Sequence, residues 1–138
     1  MQIESSLHIG PHSERELELM LSGAKPMALF WLEPGMNAED VGDAGFEEYV
    51  SQGRILKFVD FDPETSIETY RYCLPTEEWR ARLGQFIARM CREGTAHSVF
   101  TTADLARLEG MLLGYPKESV EAFVARSTTL FSDVSGRG

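Results

Sequence analysis

GRILKFVDFDPETSIETYRYCLPTEEWRARLGQFIARMCR, Gly53 to Arg92, reads as strand, turn, strand and amphipathic helix. The first strand is Arg54–Asp60 (RILKFVD), the turn Phe61-Asp62-Pro63-Glu64-Thr65, and the second strand Ser66–Leu74 (SIETYRYCL). Pro75 stops the second strand, because proline has no amide proton to give a ladder. Thr76 can then cap a helix whose apolar residues are Trp79, Leu83, Phe86, Ile87 and Met90. Their spacing makes one stripe, and burial of each large one is worth roughly 1.5–3 kcal/mol. The expectation is therefore a helix lying on the two strands before it, with Trp79 and Phe86 in the core.

The flanking chain supplies the rest of the fold. Met1, Ile3, Leu7 and Ile9 alternate with polar residues as in a half-buried strand, which Gly10-Pro11 breaks. Ser13 and Glu16 have capping-box spacing, Leu17, Met20 and Leu21 give the first helix an inward face, and Gly23 closes it. Lys25–Glu33 (KPMALFWLE) is apolar on both sides and predicts a central, doubly covered strand. Asn37–Gln52 predicts a short or broken helix, or a loop followed by a helix from about Gly45, because Gly42 and Gly45 each cost roughly 1 kcal/mol relative to alanine. Phe46, Tyr49 and Val50 are its inward face. Beyond the decisive stretch, Thr101 and Asp104 form a cap pair for a helix striped by Leu105, Leu108 and Leu112. Gly114 ends that helix, and Pro116 opens another with Val120, Phe123 and Val124 inward.

The resulting order, β-α-β-α-β-β-α and then two helices, predicts an α+β (or α/β) single domain. Its sheet is mixed, with about four strands. The domain covers residues 1–127, helical from about 101, and 128–138 forms a flexible tail. The order is similar to that of thioredoxin-like domains in topology alone. Their redox site requires two cysteines after an early strand, where this chain has Pro34-Gly35-Met36-Asn37, so no redox chemistry is implied. Leu112-Leu113-Gly114-Tyr115-Pro116-Lys117-Glu118-Ser119-Val120 resembles the Gly-aromatic turn between helices of ubiquitin-associated modules, over about a dozen residues. A glycine C-cap followed by proline accounts for the same letters.

Composition excludes several classes of function. The 138 residues carry a net charge of −9, and the charge is uneven. Residues 1–70 hold 14 acidic and 4 basic side chains; residues 71–138 hold 8 and 9. Such a chain lacks the basic footprint of nucleic-acid or anionic-membrane binding. No stretch reaches the ~18 apolar residues of a membrane span, and the first residues lack the pattern of a secretory signal. Cys73 and Cys91 have no metal-ligand spacing, so the expectation is a reduced pair in a cytoplasmic protein.

Candidate chemistry is sparse. Asp60, Asp62 and Glu64 form the best acidic cluster, since alternate strand residues point the same way and two carboxylates can share a cation or a proton. A hairpin turn explains the same residues. His8 and His12 are separated by Gly10-Pro11, and His97 stands alone, so no general base is set beside a nucleophile. Arg82, Gln85, Arg89 and Arg92 line one arc of the long helix, placed to grip an anion or an acidic partner, although the helix dipole also favours cations at that end. Tyr70 and Tyr72 share a sheet face, which Phe58 can join across the hairpin. If uncovered, that face suits partner contact.

The leading expectation is an acidic cytoplasmic interaction or regulatory protein without catalysis and without a cofactor. Its partner-binding residues are Asp60, Asp62, Glu64, Tyr70, Tyr72, Arg82, Arg89 and Arg92. The partner is a protein, with neither nucleic acid nor membrane involved. Two other classes stand beside it. One is a metal-dependent enzyme or metal binder centred on the acidic hairpin. The other is a homodimer using an open sheet edge or the C-terminal helices.

Overall fold

The computed structural model describes residues 15–126. Helix α1 (Glu16–Leu21) leads through Gly23, at φ +85°, into strand β1 (Met27–Leu32). A 3-10 turn, Ala38–Val41, is capped by the Asn37 side chain and stopped by Gly42 at φ +79°. Helix α2 (Asp43–Ser51) starts directly after it, so Gly42 alone marks the break, while Gly45 lies inside α2. Strands β2 (Leu56–Asp62) and β3 (Ile67–Cys73) form the hairpin. Asp62 supports the turn: its carboxylate accepts from the Glu64 amide at 2.9 Å, and its carbonyl accepts from the Ser66 amide at 2.7 Å. A single 3-10 turn, Pro75–Glu77, precedes helix α3 (Glu78–Arg92), so Thr76 is not its cap. Helix α4 (Thr102–Leu112) carries the expected Thr101–Asp104 capping box. Helix α5 follows the Gly114–Pro116 turn and covers 117–126 of the described residues.

The fold is α+β. Among the described residues the sheet has three strands in the order β1-β3-β2, and both pairings are antiparallel. This corrects the expected mixed sheet of about four strands; the strand expected over Met1–Ile9, with His8, His12 and Ser13, lies outside the described residues, as does 128–138. Strand β1 also departs from expectation. It pairs with β3 alone among the described residues, and β3 is the central strand. Strands β1 and β2 run parallel to each other, with β3 inserted between them, so the β1–α2–β2 crossover spans the width of one strand.

Helices cover both faces of this sheet. Strand alternation sends Ala28, Phe30, Tyr70 and Tyr72 to one side, where Met20 of α1 and Phe46 of α2 close a core. It sends Met27, Leu29, Arg71 and Cys73 to the other, where Ala81 of α3 and Leu112 of α4 close a second. Helix α5 docks on α4 at Gly110, where a Cβ would come within 2.6 Å of Val120. Gly114, at φ +77°, brings the α4–α5 turn against the Pro26 ring.

The long helix does lie on the sheet, but with a different face down. Trp79 and Phe86 are 48% and 49% exposed, whereas Ala81 and Gly84 are buried. At about 100° per residue, Trp79 and Phe86 lie more than a third of a turn from Ala81 and Gly84, whereas Leu83 and Ile87, on the near edge of the stripe, pack against the core. Arg71 is the cause: it occupies the sheet surface beneath the helix and requires small residues above it.

Candidate functional site

Arg71 is 5% exposed, and two groups accept hydrogen bonds from its guanidinium. Nη1 donates to the Asp60 carboxylate at 3.0 Å, and Nη2 donates to the Gly84 carbonyl at 3.2 Å. Nε is buried without a hydrogen-bond partner, and a Cβ on residue 84 would sit 2.9 Å from it. Gln85 adds hydrogen bonds from Nε2 to the Asp60 carboxylate at 3.1 and 3.2 Å. Burial pushes the guanidinium below the ordinary arginine value, and the Asp60 charge opposes that shift. A buried cation needs such a partner, so Asp60 is committed to holding Arg71.

Between the sheet and helices α3 and α4 a gap reaches the hairpin turn at Asp62 and Thr65. The gap is a cleft of about 340 Å³, with Leu29, Ile87 and Leu105 as apolar walls and Arg71, Arg92 and Glu109 as polar residues. Glu109 retains an exposed surface, yet the cleft walls crowd its carboxyl and push it above the usual glutamate value, against the pull of Arg71. The exposed surface means that water still reaches this carboxyl, which limits the shift. Cys91 also lines the cleft, and no histidine among the described residues does.

The outer face of α3 has a different character. Trp79, Leu83, Phe86 and Met90 recur every three or four residues, with the two aromatic rings half exposed and the two aliphatic side chains half buried. The Arg80 guanidinium lies 4.6 Å from the Trp79 ring centroid, and that of Arg89 lies 5.6 Å from Phe86. Arg80 also donates to the Met111 carbonyl at 2.7 Å, which brings exposed Met111 to the edge of the patch. Along one flank stand Glu78 near the start of the helix, Arg82 in the middle and Arg89 near its end. Arg82 bridges to Glu78 at 3.0 Å and covers the Phe58 ring at 4.7 Å.

The residues expected to bind a partner are thus divided between places. Asp60 and Asp62 share the α3 side of the sheet, but Asp60 holds Arg71 while Asp62 serves the turn, in which Glu64 is exposed. Among the described residues, no three His, Cys, Asp or Glu side chains converge to hold a metal ion. Tyr72 requires correction as a partner residue. It is fully buried, stacks on Phe46 with centroids 4.0 Å apart, and donates its hydroxyl to the Asp43 carboxylate. Burial, with that hydrogen bond, raises its hydroxyl well above the tyrosine range. Tyr70 is half buried beneath Lys57, whose ammonium lies 4.9 Å from its ring centroid. Phe58 faces the opposite side, since it pairs with Arg71. Of the arginines, Arg82 and Arg89 border the exposed stripe and Arg92 lines the cleft. Cys73 and Cys91 are both free, the first buried and the second exposed.

Sequence reasoning passed over Arg71, Gly84 and Glu109. The signal was available at Ala81, Gly84 and Ala88, small residues at helical spacing opposite the large ones. No family model matches the chain, and no match was found among curated proteins or solved structures. None of the described helices is long and apolar enough to cross a membrane.

Proposed function

We propose that this chain is a non-catalytic protein-interaction module, and that its docking face is the outer side of α3. One observation carries the reading: the strongest amphipathic stripe in the sequence leaves its two aromatic rings about half exposed. Aromatic residues on such a surface are the usual anchors of protein contacts, because they contribute large apolar area with few rotamers to freeze. Arginines at the rim add orientation more than affinity.

The charges on the flank favour one kind of partner. Glu78 lies at one end of the stripe and Arg89 at the other. A complementary partner is an amphipathic helix that runs antiparallel to α3, presents a short apolar face, and carries a basic residue opposite Glu78 and an acidic one opposite Arg89. Helix-on-helix docking of this kind buries apolar side chains at regular spacing and leaves the charged residues at the edge.

The test compares proteins captured from native lysate by the immobilised wild-type chain and by a Trp79→Ser/Phe86→Ser variant, at low and at high salt. Loss of specific captured proteins in the variant supports the reading. Identical capture by the two chains, or no capture by wild type at either salt, overturns it.

A further inference from the structure

We infer that the helix docking on α3 is the α3 of a second copy of this chain, arranged antiparallel about a two-fold axis. This rests on the docking reading above and names its partner. Trp79, Leu83, Phe86 and Met90 fall within an arc of about 60° at 100° per residue, and they extend about 16 Å along the axis. Reversing the helix about its midpoint sets Trp79 against Met90 of the second copy, and Leu83 against Phe86. Each large aromatic ring therefore meets a flexible aliphatic side chain.

Charge favours this partner. Glu78, Arg82 and Arg89 lie within about 40° of one another on a single flank. A two-fold axis perpendicular to the helix pair brings like flanks together with their directions reversed. Glu78 of each copy then lies beside Arg89 of the other. Glu78 has Arg82 as its neighbour within the chain at 3.0 Å, whereas the Arg89 guanidinium stacks on Phe86 and has no carboxylate partner among the described residues. A parallel two-fold would instead put the two flanks on opposite edges of the seam, where Glu78 and Arg89 of the two copies do not meet.

The patch is small. Two half-exposed aromatic rings and their neighbours present roughly 300 Å² per copy, below the ~800 Å² per partner of a standard interface. The pair is therefore weak and reversible, with a dissociation constant on the order of tens of micromolar.

Sedimentation equilibrium of the full chain, over about 5 to 500 µM, follows that equilibrium. Wild type is expected to move from monomer to dimer, and Trp79→Ser/Phe86→Ser to remain monomeric. Glu78→Arg and Arg89→Glu alone should each weaken the dimer about tenfold, and Glu78→Arg/Arg89→Glu should return it to within about threefold of wild type. Circular dichroism and the urea midpoint of each variant confirm folding. A monomeric wild type, a dimer that survives Trp79→Ser/Phe86→Ser, or a double swap no better than the single swaps overturns the inference. If wild type is monomeric yet its lysate capture still depends on Trp79 and Phe86, self-pairing fails and the docking reading stands; if capture is also unchanged, both fail.

Discussion

Replacing Asp60 by alanine should cost about 2–4 kcal/mol of stability, although its neighbours Asp62 and Glu64 make it look like a surface turn residue. The magnitude follows from what Arg71 would lose. Its side chain is 6% exposed, and the pair with Asp60 at 3.0 Å supplies the only negative charge bonded to it among the described residues. Without Asp60, the guanidinium keeps one hydrogen bond, to the Gly84 carbonyl at 3.2 Å, and Gln85 loses its acceptor. Removing one member of a buried ion pair costs roughly 3–5 kcal/mol, against ~0–1 for an exposed pair. The Asp60 side chain is itself 30% exposed, so water can partly replace it and the figure falls toward the lower end. Urea denaturation of wild type, Asp60→Ala, Arg71→Met and Asp60→Ala/Arg71→Met completes a double-mutant cycle. The expected coupling is about 1.5 kcal/mol or more, with the double variant more stable than Asp60→Ala alone. A cost below about 1 kcal/mol for Asp60→Ala, or additivity of the two changes, would refute the assignment of Asp60 as the counter-ion of a buried arginine.

Two further predictions probe other joints of the fold. Lys25 is 1% exposed, donates to the Leu113 carbonyl at 3.0 Å and lies over the Tyr115 ring; burial lowers its ammonium to about 8, with Glu16 opposing. The unfolded chain keeps this proton up to the model-compound value of 10.5, so the burial penalty is full below pH 8 and is relieved between pH 8 and 10.5. Wild-type stability should therefore rise relative to Lys25→Met across that window, by up to about 3 kcal/mol in urea titrations; a flat difference would contradict it. Gly114→Ala places a Cβ 2.4 Å from the Pro26 ring at φ +77° and should destabilise by about 2–5 kcal/mol, measured by thermal unfolding. Gly23→Ala, at φ +85° with nothing within 4 Å, should cost only about 1–2. Equal losses would mean that the α4–α5 turn does not bear on β1.

The hairpin, the break at Gly42 before α2 and the Thr101 cap were legible because each depends on local chemistry. Proline cannot join a ladder, glycine interrupts a helix, and a hydroxyl three residues before an aspartate closes a capping box. Strand β3 also declared its two faces through alternation, but not which neighbours would cover them. The apolar stripe of α3 was legible as a stripe, but only its Leu83 and Ile87 edge packs inward, and Trp79 and Phe86 do not. Periodicity reports which residues are apolar, whereas the side that turns down depends on what lies beneath. Here that is Arg71, whose guanidinium takes the Gly84 carbonyl and leaves no room for a side chain at that position. The place of β1 at the edge of the described sheet could not be read either, since strand order is set by contacts between distant segments. The cleft was equally hidden. Its lining comes from both strands of the hairpin, β1, α3 and α4, and no spacing in the sequence links Leu29 to Glu109.

The central claim is that the outer stripe of α3 is a docking face, and photo-crosslinking from that stripe tests it most directly. A benzophenone amino acid placed at Phe86, and separately at Phe61, which is 55% exposed on β2, reports which exposed aromatic position meets another protein. A docking stripe gives a defined protein adduct from position 86, mapping to an amphipathic helix, and none from position 61. No adduct from 86, or equal yields from both positions, would contradict it.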